Sequence, residues 1–285
     1  MPTAAGAGTF AIAGELEVNR LGFGAMRLTG PGITGPPADR ENAIAVLRRA
    51  LELGVNHLDT ADAYGPHANE ELIADALYPY PDGLLIATKG GLVRTGESGE
   101  WPKDGRPEHL REACEGSLRR LRVDQIAVYY LHRPDPNVPY EESVGALKEL
   151  QDEGKIRHVA VSNVNMELLA IARGIVEVAL VQNQYSVTDR RAQDLLDTCA
   201  GAGIGFVPWA PLDAGALEPG GPVDVIAHNH DATPLQVAIA WLLHTSPVTL
   251  PIPGTSSIAH LEENVAAAEL ELDGDEVEAL NALAA

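Results

Sequence analysis

At 285 residues, 45% hydrophobic and 21% charged, the chain has the make-up of an ordinary globular protein with room for a substantial core. No apolar run approaches the roughly 18 to 20 residues of a membrane span, and a formal net charge of −21 without any Lys/Arg cluster argues against nucleic acid or an anionic membrane as a partner. Two cysteines, Cys114 and Cys199, supply neither a disulfide framework nor a metal set, so no metal is expected, both read as buried helix fillers, and a reducing, cytoplasmic setting follows.

The N-terminal MPTAAGAGTFAIAGELEV has no basic region and meets an acid at Glu15, so it is not read as a secretory signal. Residues 9–17 suggest a small hairpin, turning at Gly14 and Glu15, that caps whatever follows. Short Val/Ile/Leu-rich runs then recur at 21–26, 56–59, 84–89, 126–132, 158–162, 179–182, 205–209 and 249–253, the pattern of strands buried on both faces. Amphipathic stretches separate them. DRENAIAVLRRALELG spaces Ile44, Leu47 and Leu51 at helical intervals and stops at Gly54, and ANEELIADAL, PEHLREACEGSLRRL, YEESVGALKELQDEG, DRRAQDLLDTCAGAG and TPLQVAIAWLLHTS follow. Pro107 and Pro234 suit first-turn positions. Eight βα units predict a parallel sheet closed into a (β/α)8 TIM barrel, an α/β fold, with the N-terminal β-hairpin as a cap. With no linker in view, residues 1–285 read as a single domain.

One motif competes. Gly30, Gly32 and Gly35 fit G-x-G-x-x-G between a strand and a helix, with Asp59 further on, which alone suggests a doubly wound dinucleotide fold. Pro31, Pro36 and Pro37 remove the backbone N–H groups that such a loop needs, and eight units fit that fold poorly.

The chemistry gathers at strand ends. HLDTADAYG delivers Asp59 and Tyr64, LLIATK delivers Lys89, and VYYLH delivers His132. In a β/α barrel these ends form the active face. A tyrosine near pKa 10 needs about 4 kcal/mol of extra phenolate stabilisation to work near pH 7, and a lysine ammonium beside it is the expected source. Lys89 would play that part for Tyr64, Asp59 would hold Lys89, and His132 would orient a carbonyl oxygen. Each residue alone has a bland reading as packing or a helix cap. Together they are equipment for moving a proton to or from a carbonyl oxygen.

LDTADAYG, ATK, YYLH and VAVSN, in this order, resemble the aldo-keto reductase family, and GKIRHVAVSN, VQNQYS and LPIPGTSSIAHLEENV extend the likeness over nearly the whole chain from about residue 21. The resemblance implies a barrel that binds NADPH and reduces aldehydes or ketones, with Tyr64 as acid, Lys89 and Asp59 tuning it, and His132 orienting substrate. It places Ser162, Asn163 and Gln182 at the nicotinamide carboxamide, Trp209 against the nicotinamide ring, and Pro211, Leu212 and Gly215 in a loop over the pyrophosphate. Gly254, Thr255 and Ser256, with Ser257, would offer donors at a helix start, His260 the local positive charge, and Glu263 and Asn264 adenine contacts. Many relatives carry Lys and Arg here, so a weaker preference for NADPH is expected.

Met26, Arg27 and Trp101 are the expected substrate-pocket residues, and Arg133 is expected to pair with Asp135. LTGPGITGPP and the ADALYPYPD stretch also resemble a bacterial branch that includes pyridoxal reductases, which makes pyridoxal a candidate among small aldehydes. A monomer is expected, since no exposed apolar stripe demands a partner. Two alternatives stand beside the reductase: a non-catalytic NADPH-binding sensor, which the complete set of four residues disfavours, and a Schiff-base enzyme using Lys89, which a protonating Asp59 disfavours.

Overall fold

The structure, a computed structural model, describes residues 2–94, 101–210 and 220–284. Strand β1 (Thr9–Ile12) pairs antiparallel with β2 (Leu16–Asn19). The turn is centred on Ala13 and Gly14, both left-handed at φ 51° and 72°, one residue earlier than the sequence suggests. Ile12 and Val18 point from this hairpin into a cluster with Leu85, Val128, Ala160 and Leu180, so the hairpin plugs the floor of the barrel as expected.

Seven parallel strands follow in sequential order: β3 (Phe23–Gly24), β4 (His57–Asp59), β5 (Leu85–Gly90), β6 (Ile126–Leu131), β7 (Ile156–Ser162), β8 (Val178–Gln184) and β9 (Gly205–Trp209). The eighth expected strand, 249–253, runs along the gap between β9 and β3 but keeps only fragments of a ladder. Leu250 N–H donates to Phe206 O at 2.8 Å, and Gly22 N–H to Pro251 O at 2.9 Å. Pro251 and Pro253 have no N–H to give, which limits the pairing. The fold is a (β/α)8 barrel whose last stave is held by a few bonds. Gly24 and Gly254 meet across this seam: a Cβ at Gly254 would lie 2.2 Å from Gly24 O, so only glycine fits there.

The helices that wrap the barrel are α1 (Arg40–Glu52), α2 (Ala68–Leu77), α3 (Pro107–Leu121), α4 (Tyr140–Asp152), α5 (Met166–Ile175), α6 (Gln193–Ala202), α7 (Pro222–Asn229), α8 (Pro234–Thr245), α9 (Ile258–Ala266) and α10 (Gly274–Asn281). Local chemistry explains their limits. The Asp39 carboxylate accepts from Asn42 N–H at 2.9 Å to start α1, whose Ala43, Val46, Leu47 and Ala50 face inward. Thr233 and Gln236 form a capping box at α8, with Pro234 in its first turn. Helix α6 begins later than DRRAQDLL suggests, because Asp189 is occupied in a turn where it binds Arg191. Both cysteines are buried, in α3 and α6.

Strand alternation divides the interior. From β5, Leu85 and Ala87 enter the barrel core with Val128 and Tyr130 of β6, while Tyr129 and Leu131 face the helix layer. On the outer side of β5, Thr88 donates to the buried Glu70 carboxylate at 2.6 Å, and Arg120 of α3 donates to the same carboxylate at 2.6 Å. No described helix is long and apolar enough to cross a membrane.

Candidate active site

Asp59 is the last residue of β4, Lys89 lies next to the end of β5, and His132 directly follows β6. The ladder extends past the named strands to hold them. Asp62 N–H donates to Lys89 O at 3.2 Å, and His132 N–H to Gly90 O at 2.9 Å. Tyr64 closes a turn onto Ala61 O just ahead of α2. The four residues expected from the sequence meet at one end of the barrel, and all are buried.

Lys89 is fully buried and donates to Asp59 Oδ1 and, at 2.8 Å, to Thr60 O. The second oxygen of Asp59 accepts from Gln182 Nε2 at 2.8 Å. Lys89 Nζ stands 5.3 Å from the Tyr64 ring centre and 5.5 Å from that of Tyr130. The Tyr64 and His132 rings meet edge to face at 5.8 Å, and Trp101 packs edge-on against the other side of Tyr64 at 6.2 Å. Burial pulls the Lys89 ammonium down, but Asp59 and Tyr64 more than offset it and hold its pKa above the ordinary value. Burial, reinforced by Lys89 and Arg133, keeps His132 well below the usual imidazole range, so it is neutral at pH 7. Its Nδ1 is buried without a partner among the described residues.

Tyr64 departs from expectation. Burial pushes its phenol above the ordinary value, and Lys89 does not bring it back. The reason is geometric: Asp59 touches Lys89 and neutralises much of its field, while the phenol is largely removed from water. Tyr64 is therefore a protonated phenol at neutral pH, poised to give a proton rather than to take one.

Asp59, Tyr64 and His132 line a cavity of about 760 Å3, with Lys89 buried behind them, and Met26, Arg27, Leu92, Trp101, Lys103, Arg133, Ser162, Asn163, Gln182 and Trp209 line it also. Ser162 and Gln182 face each other in register across β7 and β8. Asn163, in a left-handed conformation at φ 58°, turns its Nδ2 to Ser162 Oγ at 2.8 Å and to His132 O at 3.2 Å. Trp209 ends β9 at the rim, and its Nε1 is buried without a partner among the described residues. A second cavity of about 710 Å3 shares Met26, Arg27 and Gly254 with the first and adds Thr255, Ser256 and Asn42. The two cavities adjoin at these shared residues.

Several expected cofactor residues sit differently. Thr255 Oγ1 accepts from Ser257 N–H at 3.1 Å, and Ser257 Oγ caps α9 by accepting from His260 N–H at 3.4 Å, so both oxygens serve the local turn as acceptors while these bonds leave each O–H able to donate. The Gly254 conformation answers first to Gly24 across the seam. His260, Glu263 and Asn264 line neither cavity: the first two are exposed on α9, and Asn264 is buried with Oδ1 unpartnered among the described residues. Pro211, Leu212 and Gly215 lie outside the described residues. Asp135 does not hold Arg133; its carboxylate accepts from Gly105 N–H at 3.0 Å and from Asn137. Lys103 escaped the sequence reading. It reaches the cavity because it pairs antiparallel with Leu92 across a long loop, and no local motif marks such a pairing.

A model of the "Aldo/keto reductase family" matches residues 20–285. The chain belongs to the aldo-keto reductase family. It is 47% identical over 270 residues to an uncharacterized oxidoreductase of Schizosaccharomyces pombe, covering 94% of this chain and 87% of that one. It is 44% identical over 281 residues to pyridoxine 4-dehydrogenase of Escherichia coli, covering 96% and 98%. An aldo-keto reductase of Klebsiella pneumoniae, solved with NADP and acetate, superposes with a TM-score of 0.80 at 28% identity, covering 96% of this chain and 94% of that one.

Proposed function

We propose that this aldo-keto reductase reduces aldehyde or ketone carbonyls with NADPH, and that Tyr64 donates the proton. The observation that carries the reading is the meeting of a protonated phenol and a neutral imidazole, backed by the buried Lys89–Asp59 pair, at a cavity of about 760 Å3 that adjoins a second one. The nicotinamide supplies a hydride when bound. Trp209, Ser162 and Asn163 would hold its ring and carboxamide; the orphaned Trp209 Nε1 and the place of Ser162 and Asn163 in the cavity lining fit such a group. Gln182 reaches it only by sharing or leaving Asp59, a role the sequence alone does not reveal.

The chain's own chemistry follows from protonation states. His132, kept neutral by burial, donates one ring N–H to the carbonyl oxygen and fixes its orientation. As the oxygen gains negative charge it becomes a far stronger base than a phenolate, so Tyr64 transfers its proton even from a raised pKa. Lys89 then faces a phenolate at close range and stabilises it, which is where its charge matters most. Asp59 keeps Lys89 protonated and so unable to act as an amine nucleophile, which disfavours Schiff-base chemistry.

Pyridoxal is a specific candidate substrate, supported by the 44% identity to pyridoxine 4-dehydrogenase. The test is initial-rate NADPH oxidation with a panel of aldehydes that includes pyridoxal, para-nitrobenzaldehyde and short aliphatic aldehydes. Turnover of the panel with pyridoxal ranked first supports both levels of the reading. Reduction of para-nitrobenzaldehyde with pyridoxal untouched removes the vitamin, and cofactor binding without any turnover moves the protein to a sensor role. With His260 the only basic residue within 254–264, NADPH is preferred over NADH modestly; a kcat/KM ratio at or below one refutes that preference.

A further inference from the structure

We infer that Arg133, assisted by Lys103, forms an anion-holding wall beside the reactive face, and that the preferred substrates are carbonyl compounds carrying a negative group within a few bonds of the carbonyl carbon. The inference rests on the carbonyl-reductase reading and narrows its substrate class.

Charge distribution carries it. In a chain of net charge −21, the cations elsewhere on the surface are commonly matched to acids, as Arg111 is to Glu149 and Glu153 and Lys155 is to Glu115. At the cavity the pattern reverses. Arg27, Lys103 and Arg133 line it, and among the described residues none of them holds a carboxylate. The single carboxylate in the lining, Asp59, is already engaged by Lys89 and Gln182. The nearest acid to Arg133 in sequence, Asp135, is turned away to Gly105 and Asn137.

The cations divide by place. Arg27 lines both cavities, in company with Gly254, Thr255 and Ser256, which puts it on the wall assigned to the cofactor. Arg133 and Lys103 line only the central cavity, together with Trp101 and His132. Arg133 adjoins His132 in sequence and its field acts on both His132 and Tyr64. A guanidinium there matches a carboxylate, a phosphate or an ionised ring hydroxyl in charge and fork geometry. Pyridoxal, whose ring hydroxyl is ionised at neutral pH and stands beside the aldehyde, belongs to this class.

The experiment uses para-carboxybenzaldehyde and its methyl ester, which differ little except in charge. Dissociation constants for both are measured by tryptophan fluorescence on the NADP-loaded enzyme, and kcat/KM with NADPH. Wild type is expected to favour the acid over the ester by about tenfold or more, as one charge-assisted hydrogen bond allows. The preference sits in KM and shrinks with added salt. Arg133→Gln should bring the acid-to-ester ratio near one, and Arg133→Lys should retain part of it. The ratio cancels any general effect of the substitution on His132 or Tyr64. A wild-type ratio of one or less overturns the inference, as does a ratio unchanged in Arg133→Gln, or a variant whose loss lies in NADP binding instead. If neither aldehyde is reduced, the carbonyl-reductase reading fails, and the binding ratio still decides the anion wall by itself.

Discussion

Lys89 and Asp59 form an ion pair inside the barrel with side-chain exposures of 0% and 3%, and the pair is bonded on both sides, to Thr60 O and to Gln182. A pair this deep is held by mutual satisfaction rather than by net Coulomb gain, so removing one partner strands the other. Lys89→Met is expected to lower the unfolding free energy by about 3 kcal/mol or more, the range for an uncompensated buried charge. Asp59→Asn should cost less than that, because the amide can still accept from one neighbour. The double variant is expected to be more stable than the sum of the two single losses, and urea denaturation of all four proteins gives the coupling energy directly. Additivity within about 0.5 kcal/mol refutes the pairing as a stabilising unit.

Tyr64 lies between Trp101 and His132, and its hydroxyl serves the chemistry while its ring serves the packing. Tyr64→Phe keeps the ring and removes the proton. We expect kcat for aldehyde reduction to fall by about 100-fold or more, in the range for loss of a general acid. The dissociation constant for NADPH, read by fluorescence, should change by less than about threefold, because no cofactor contact depends on the hydroxyl. Near-normal turnover in this variant assigns the proton to another group.

The protonation states set the pH profile. Tyr64 is held above its ordinary value, so the phenol is in its acid form throughout the neutral range, and His132 is held well below its ordinary value and is neutral there. Reduction needs both of these forms. Its kcat is expected to be flat between about pH 6 and 8, with the decline on the alkaline side only as the phenol titrates. Oxidation of the corresponding alcohol needs the phenolate, so that rate should climb through the same range. A bell centred near neutrality for reduction contradicts this assignment, and points to a Tyr64 whose pKa is lowered in the loaded enzyme.

Strand-end chemistry was legible because strand alternation is rigid. Once 84–89 is a strand with Leu85 facing in, Ala87 and Lys89 must follow, and Asp59 of the neighbouring strand stands level with Ala87. Helix limits marked by Pro107, Thr233 and Pro234 were equally readable, since capping is local. What was not legible depends on partners distant in sequence. Arg133 remains open to the cavity because Asp135 finds Gly105, thirty residues away by the chain. Lys103 arrives through a pairing with Leu92. Helix α5 is absent from the expected amphipathic stretches, because MELLAIARGI is apolar over most of its length with Glu167 and Arg173 as its only charged breaks. The direction of the Tyr64 shift is not legible in the motif, because burial, the largest influence on it, is a property of the closed barrel.

His57 provides a test of the barrel interior that does not depend on catalysis. It is fully buried two residues before Asp59, and neither ring nitrogen has a partner among the described residues. Burial lowers its pKa from 6.5 to about 4, against a partly opposing pull from Asp59. The unfolded chain therefore binds a proton on this residue between about pH 6.5 and 4 while the folded protein does not, so stability is complete above about 6.5 and is lost as pH falls. From those two values the loss by pH 4 is about 3 kcal/mol. His57→Leu removes the titration. The difference in unfolding free energy between wild type and variant, measured by urea denaturation at pH 7 and near pH 4, is expected to shift by about 3 kcal/mol in favour of the variant at the lower pH. A shift below about 1 kcal/mol means that His57 gains a proton in the folded barrel, with Asp59 as its counter-charge.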